Sequence, residues 1–369
     1  TKGTTMIKKL ALLIPICLIL VIAAVAAGGG GSSSDPLVSL SYLKGTFRSD
    51  VEEKVEDRLD ESDEELLAQI EQEGTPVQTA ATWVETRLKQ GDALLGSTGT
   101  NALLLAGSAQ IIFDKGAVVD VTTGEEVSNG SAMVVNHRYM VAEDTSAQFR
   151  ITSRTAVLDY QGIYAFGYDQ DTVDYNAMAS VLKELNLFKG SFTGYGQGFD
   201  LELVPTRLQA LIMFIRVLGE EEEALAWTGT TPFTDIARGS DAEKYVGYAY
   251  EKGYTNGYTA TQFKPGNAVN AYQYTEFVLR AMGYSSVANT NLADTLIRAE
   301  EAGVLTPGEV SVLEAVTFLR ADLVYISYYA LGSELADEPQ TLAEALIEKG
   351  VFTKQIWRSV QKDVGSDRF

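Results

Sequence analysis

The sequence predicts an α+β multidomain protein: an N-terminal helical segment, a small antiparallel β sandwich or roll, and a C-terminal α-helical triple repeat. Three observations carry that prediction. Apolar residues keep a helical period between Val51 and Leu88. From Asn101 they fall instead into short runs broken by Gly and Asn turns. Beyond Asp169 one helix–loop–helix layout recurs three times. The expected boundaries are a leader at 6–27, a linker at 28–36, the helical segment at 37–91, the β domain at 92–168, the three repeats at 169–332, and a capping helix with a tail at 333–369.

A chain of 369 residues has room for two or three domains at the usual size of about 150 residues each. Its 50 acidic side chains against 29 basic ones leave a net charge of −21. Such a surface repels phosphates and anionic lipids, so nucleic acid is excluded as a partner drawn by bulk charge, and any anionic ligand must be held by local contacts. The one cysteine, Cys17, sits inside an N-terminal apolar run, so no disulfide framework is expected.

That run, Leu10 to Ala27, follows Lys8-Lys9 and ends in Ala24-Val25-Ala26. Charged, apolar and small residues in that order read as a secretory signal, with Met6 as its start and an uncleaved membrane anchor as the competing expectation. Residues 28–34, GGGGSSS, form a flexible tether. Between Asp50 and Glu73 twelve acidic side chains face only Lys54 and Arg58, yet Val51, Val55, Leu59, Leu66 and Ile70 share one helical stripe. The charge run is expected to be a solvated helix face, since a calcium loop would need a central Gly among alternating Asp or Asn. Gly74 ends that helix, and Thr75-Pro76-Val77-Gln78 predicts a second one up to Gly91.

The runs ALLLA, QIIF, AVVDV, AMVV, RYMVA, AQFRI and TAVLDY, split by Gly107, Gly116, Gly124 and Gly130, predict the β domain. His137 is the only histidine, so a multi-histidine metal site cannot be assembled, and a structural role is expected for it. No metal or other cofactor is expected.

In the C-terminal half, second helices of the repeat open at Thr206, Asn270 and Leu319 and close at Gly219, Gly283 and Gly332, with equal spacing each time. Their caps are expected at Thr206 with Gln209 and at Asn270 with Gln273. First helices are predicted at Tyr175–Leu187, Ala242–Lys252 and Leu292–Ala302, with Asn186, Gly253 and Gly303 at equivalent ends. Units of this size cannot bury an apolar face alone, so they stack on one another. Thr341 to Trp357 is predicted to be a helix covering the array's open end.

The set Pro232-Phe233-Thr234-Asp235-Ile236, the stretch YVGYAYEKGYTNGY from Tyr245, the QFKPG turn at Gln262, and Thr-Arg or Arg-Ala-Asp at second-helix starts resemble the S-layer homology family. The resemblance runs from about Asp169 to Gly332 and is strongest in the middle copy. It implies a pseudo-threefold domain that binds a secondary cell-wall polysaccharide, often pyruvylated, in its grooves. It places the protein at the cell surface or wall, and leaves self-association in a surface layer open.

The resemblance carries the family's groove arginine onto Thr206-Arg207, and onto Arg320 with Leu319 in place of the threonine, while Ala271 leaves the middle copy without one. A guanidinium fork and free helix N–H groups suit a sugar carboxylate. The alternative for both arginines is pairing with neighbouring acids. Tyr195, Tyr254 and Tyr258 are the aromatic candidates for sugar faces, with Phe199 and Phe263 equally suited to filling the core. One complete groove, involving the first repeat, is expected. No enzyme is expected, because no triad forms around His137 and no phosphate-binding glycine loop opens a helix. The competing reading is a degenerate repeat serving as a structural or protein-interaction scaffold.

Overall fold

The computed structural model describes residues 77–190, 194–286 and 291–365, together with Phe47, Val51, Lys54 and Arg368. The leader, the linker and the acidic helix lie outside the described residues, apart from Phe47, Val51 and Lys54, each of which is helical.

The first described half is one curled antiparallel sheet, a half-barrel, rather than the two facing sheets of a sandwich. Its strands are β1 (Gln78–Lys89), β2 (Ala93–Gly96), β3 (Asn101–Ala106), β4 (Ala109–Ile112), β5 (Ala117–Asp120), β6 (Glu125–Val127), β7 (Arg138–Ala142), β8 (Ala147–Ile151) and β9 (Thr155–Gly167). They run in the order β4-β8-β2-β9-β3-β7-β5-β6, and β1 also pairs with β9. Long β9 takes β1, β2 and β3 as partners, and a register shift at Leu104/Ala106 bends the sheet. Leu94, Leu104, Ile111, Val118, Phe149 and Leu158 line its fully buried core.

β1 overturns the expectation of a second N-terminal helix. Its register with β9 slips between Ala80 and Val84, so the residues between lose the strand alternation that would have identified them. The spacing of Ala80, Ala81, Val84 and Leu88 imitated a helical face, while β-branched Thr79, Thr82, Val84 and Thr86 supplied the strand preference. The sheet therefore begins at Gln78.

The second half is helical. Its α-helices among the described residues are α1 (Tyr175–Glu184), α2 (Arg207–Val217), α3 (Glu221–Ala226), α4 (Asp241–Glu251), α5 (Ala271–Ala281), α6 (Thr295–Glu301), α7 (Pro307–Ala315), α8 (Arg320–Leu331), α9 (Leu342–Glu348) and α10 (Lys354–Val360). One apolar core runs through them, including Leu182, Phe214, Val246, Tyr274, Leu296, Val324 and Leu346.

Helices α1, α4 and α6 end alike. Asn186, Gly253 and Gly303 all take positive φ. The next two N–H groups return to one carbonyl in each case: Leu187 and Phe188 to Leu182, Tyr254 and Thr255 to Ala249, Val304 and Leu305 to Ala299. Gly219 and Gly283 likewise close α2 and α5 with positive φ, whereas Gly332 after α8 stays right-handed at φ −86°. Two expectations change. Thr306 and Glu309 make a capping box that starts α7, a helix not expected between α6 and α8. The predicted terminal helix splits into α9 and α10 around Gly350, whose φ is +80°.

Candidate functional site

The start of α2 is built from two directions. Locally, the Thr206 hydroxyl accepts from Gln209 N–H, and the Gln209 side chain accepts from Thr206 N–H. At long range, Arg207 N–H donates to Asn267 O at 2.7 Å and Leu208 N–H to Pro265 O at 3.1 Å. The turn carrying Lys264, with φ +58°, thus uses the first free N–H groups of the helix. The expectation that these amides face an anion is corrected: backbone carbonyls of the neighbouring turn occupy both.

Arg207 is only 7 % exposed. Its guanidinium lies 4.9 Å from the Phe263 ring centroid and 5.5 Å from that of Phe277. Nη2 donates weakly to Thr255 Oγ1 and Gly257 O, at 3.5 and 3.4 Å, and Nε has no hydrogen-bond partner. Among the described residues no carboxylate pairs with it. Burial pulls its pKa down to about 10, and the neighbouring Arg280 adds to the effect. Tyr258 is 53 % exposed, and the Lys264 ammonium sits 3.9 Å from its ring centroid.

Tyr254 is turned to the core side: its hydroxyl donates to Glu220 at 3.0 Å and its ring meets Phe214 edge-on. Phe199 and Phe263 are buried core aromatics. The structure therefore brings together Thr206, Arg207 and Tyr258, with Tyr254 packed behind them.

The start of α8 repeats the backbone arrangement with other side chains. Arg320 N–H donates to Leu203 O and Ala321 N–H to Leu201 O, so its amides are taken as well. Asp200, with φ +50°, stands where Lys264 stands in the first junction, and Glu202 where Gly266 stands. Arg320 Nε donates to Phe199 O at 3.1 Å, and the guanidinium lies over Phe188. Burial lowers its pKa, against the pull of Asp200 and Glu202. Tyr195, 45 % exposed, precedes the Gly196–Gly198 turn in the loop of this second junction. At the start of α5, Asn270 caps Gln273 N–H, Ala271 is buried, and the Tyr272 hydroxyl donates to Glu314.

Sequence reasoning overlooked Lys264 and Arg280 near Arg207, and Arg87 and Arg154 of the sheet near Arg320. Lys264 was visible as the cation of the QFKPG turn, whereas the other three carried no local signal. His137 is tied down, its Nδ1 2.7 Å from Asp120 Oδ2. Burial raises the Asp120 pKa, but bonds from His137, Thr122 and Thr123 outweigh it and bring the carboxyl below its ordinary value. The described residues hold no cluster of three or more His, Cys, Asp or Glu fit for a metal. None of their helices is long and apolar enough to cross a membrane.

No curated protein matches the chain. Residues 232–270 match the S-layer homology domain family, a segment that runs through α4 and the Tyr258–Lys264 loop to the Asn270 cap. The matched domain is a module that anchors proteins to cell walls, which places attachment at the cell surface. The chain is an S-layer homology domain-containing protein.

Proposed function

We propose that the helical half is one unit written three times, and that it holds the protein on the cell wall by binding an acidic wall polysaccharide at Arg207. The observation that carries this reading is the buried, stacked guanidinium of Arg207, which lacks a carboxylate partner among the described residues of a chain of net charge −21. A buried cation without a counter-ion lowers stability unless a ligand supplies the charge. A sugar carboxylate, such as that of a pyruvyl ketal, would supply the missing counter-charge at the junction beside this guanidinium. Lys264 and the exposed ring of Tyr258 would flank it, and Thr206 would fix the helix start. Binding, not catalysis, is the role proposed.

Arg207→Ala is expected to weaken cosedimentation with purified wall sacculi by at least about tenfold, the scale of one lost charge-assisted pair. Arg216→Ala, at the far end of α2 and paired with Glu221, should leave it unchanged. Equal pelleting before and after stripping the acidic polymer, or equal losses in the two variants, would reject the site. A scaffold role is the second reading, favoured by Ala271 at the middle helix start and by the carboxylates that crowd Arg320.

A further inference from the structure

The junctions at Arg207 and Arg320 share the two backbone hydrogen bonds that take the first amides of the helix but differ in the charge of the loop each helix start meets. Lys264 and Gly266 face the first; Asp200 and Glu202 face the second. The second is also covered. Arg87 of β1 donates from Nη2 to Glu202 Oε1 at 2.5 Å and from Nε to Asn176 Oδ1 at 2.9 Å. Thr155, at the start of β9, donates its hydroxyl to the same Glu202 oxygen at 2.6 Å. Arg154 pairs with Asp322 in the first turn of α8 and donates to Thr317 O at 3.0 Å. Glu85 accepts from Gly196 N–H at 2.7 Å. The Arg87 and Glu202 side chains are 6 % and 8 % exposed, and those of Arg154 and Asp322 16 % and 2 %. These are desolvated ion pairs, whose breakage is costly and whose sign decides what can dock.

We infer that the Arg320 junction is a guanidinium-accepting seat for the chain's own β half and not an anion site, with Asp200 and Glu202 as the residues that set this specificity. The three helix starts then divide their work: that at Arg207 takes the polymer, that at Arg320 clamps the sheet, and that at Ala271 carries alanine in place of the arginine. The division of anion binding rests on the polymer-binding reading above; the seat itself does not.

The experiment uses the full chain and separates the two. Amide hydrogen exchange is followed in residues 196–203 and in the first turn of α8, for Arg87→Glu, Glu202→Arg and the double exchange. Each single inversion sets like charges together and should cut protection by about tenfold or more, while the double variant should regain most of it. Single variants with wild-type protection, or a double variant no better protected than the singles, would overturn the seat. Polymer released from sacculi is then titrated calorimetrically. One site per chain, lost in Arg207→Ala and kept in Arg320→Ala, is expected. A second site abolished by Arg320→Ala would overturn the charge assignment. Absence of any polymer binding alongside the expected exchange pattern would sink the polymer reading while supporting the seat.

Discussion

Glu221 shows how single side chains carry this acidic molecule. Its carboxylate accepts from the Tyr245 hydroxyl and from Arg216 Nε, both at 2.7 Å, and pairs with Lys189. Burial raises its pKa, but these bonds win and bring it down to about 2 from an ordinary 4.5. A depressed pKa means that the contribution to stability is complete above about pH 4.5 and is lost as the pH falls through about 2. Glu221→Gln should lower urea resistance at pH 7 and flatten the decline between pH 4.5 and 2, read from unfolding midpoints across that range. An unchanged acid slope would mean that the cluster does not act through its charge. At this scale the sequence was legible where partners are local: Thr206 with Gln209 and Asn270 with Gln273 were visible as caps three residues apart. The fate of the Arg207 and Leu208 amides was not, because their acceptors, Asn267 and Pro265, lie far along the chain and meet α2 only after folding.

The elements divide the same way. The ends of α1, α4 and α6 could be placed from Asn186, Gly253 and Gly303, since the left-handed position has few suitable residue types. β1 could not, because its slip against β9 is a property of the pair and not of either strand. Nor was the curl of the sheet visible, although one of its requirements is written at Gly162. That residue sits in β9 at φ +118°, and a Cβ there would come 2.7 Å from Thr100 Cα. Thr100 crosses at that point, its hydroxyl donating to Ile163 O at 2.6 Å. Gly162→Ala should therefore cost about 2–3 kcal/mol of stability, through both the disallowed backbone angle and the backbone clash. Gly167→Ala, at the end of the same strand with open space around it and ordinary φ, should be nearly silent. Equal urea midpoints for the two would remove Gly162 as a determinant of the curl.

Across the whole molecule, two separate apolar cores are joined by charged contacts, and the helical core is closed at its end by another. Arg368 grips Glu309 with two bonds of 2.8 Å, donates to Val304 O at 2.9 Å and lies over the Tyr329 ring. Glu309 has a fully buried side chain, accepts from the Tyr325 hydroxyl at 2.7 Å and caps α7. This one carboxylate thereby ties α7, α8 and the tail together. Desolvation makes its charge expensive to leave unpaired, so Arg368→Ala should destabilise the helical half by about 3 kcal/mol. If the unpaired charge is the cause, neutralising it offsets the loss: Arg368→Ala with Glu309→Gln should be more stable than Arg368→Ala alone, while Glu309→Gln alone remains destabilised by the stranded arginine. The quantity to measure is the coupling free energy of the four-variant cycle from urea unfolding at pH 7. A value near zero would show that the tail packs on the helices without clamping them, and closure of the helical half would then rest on the apolar contacts of α9 and α10.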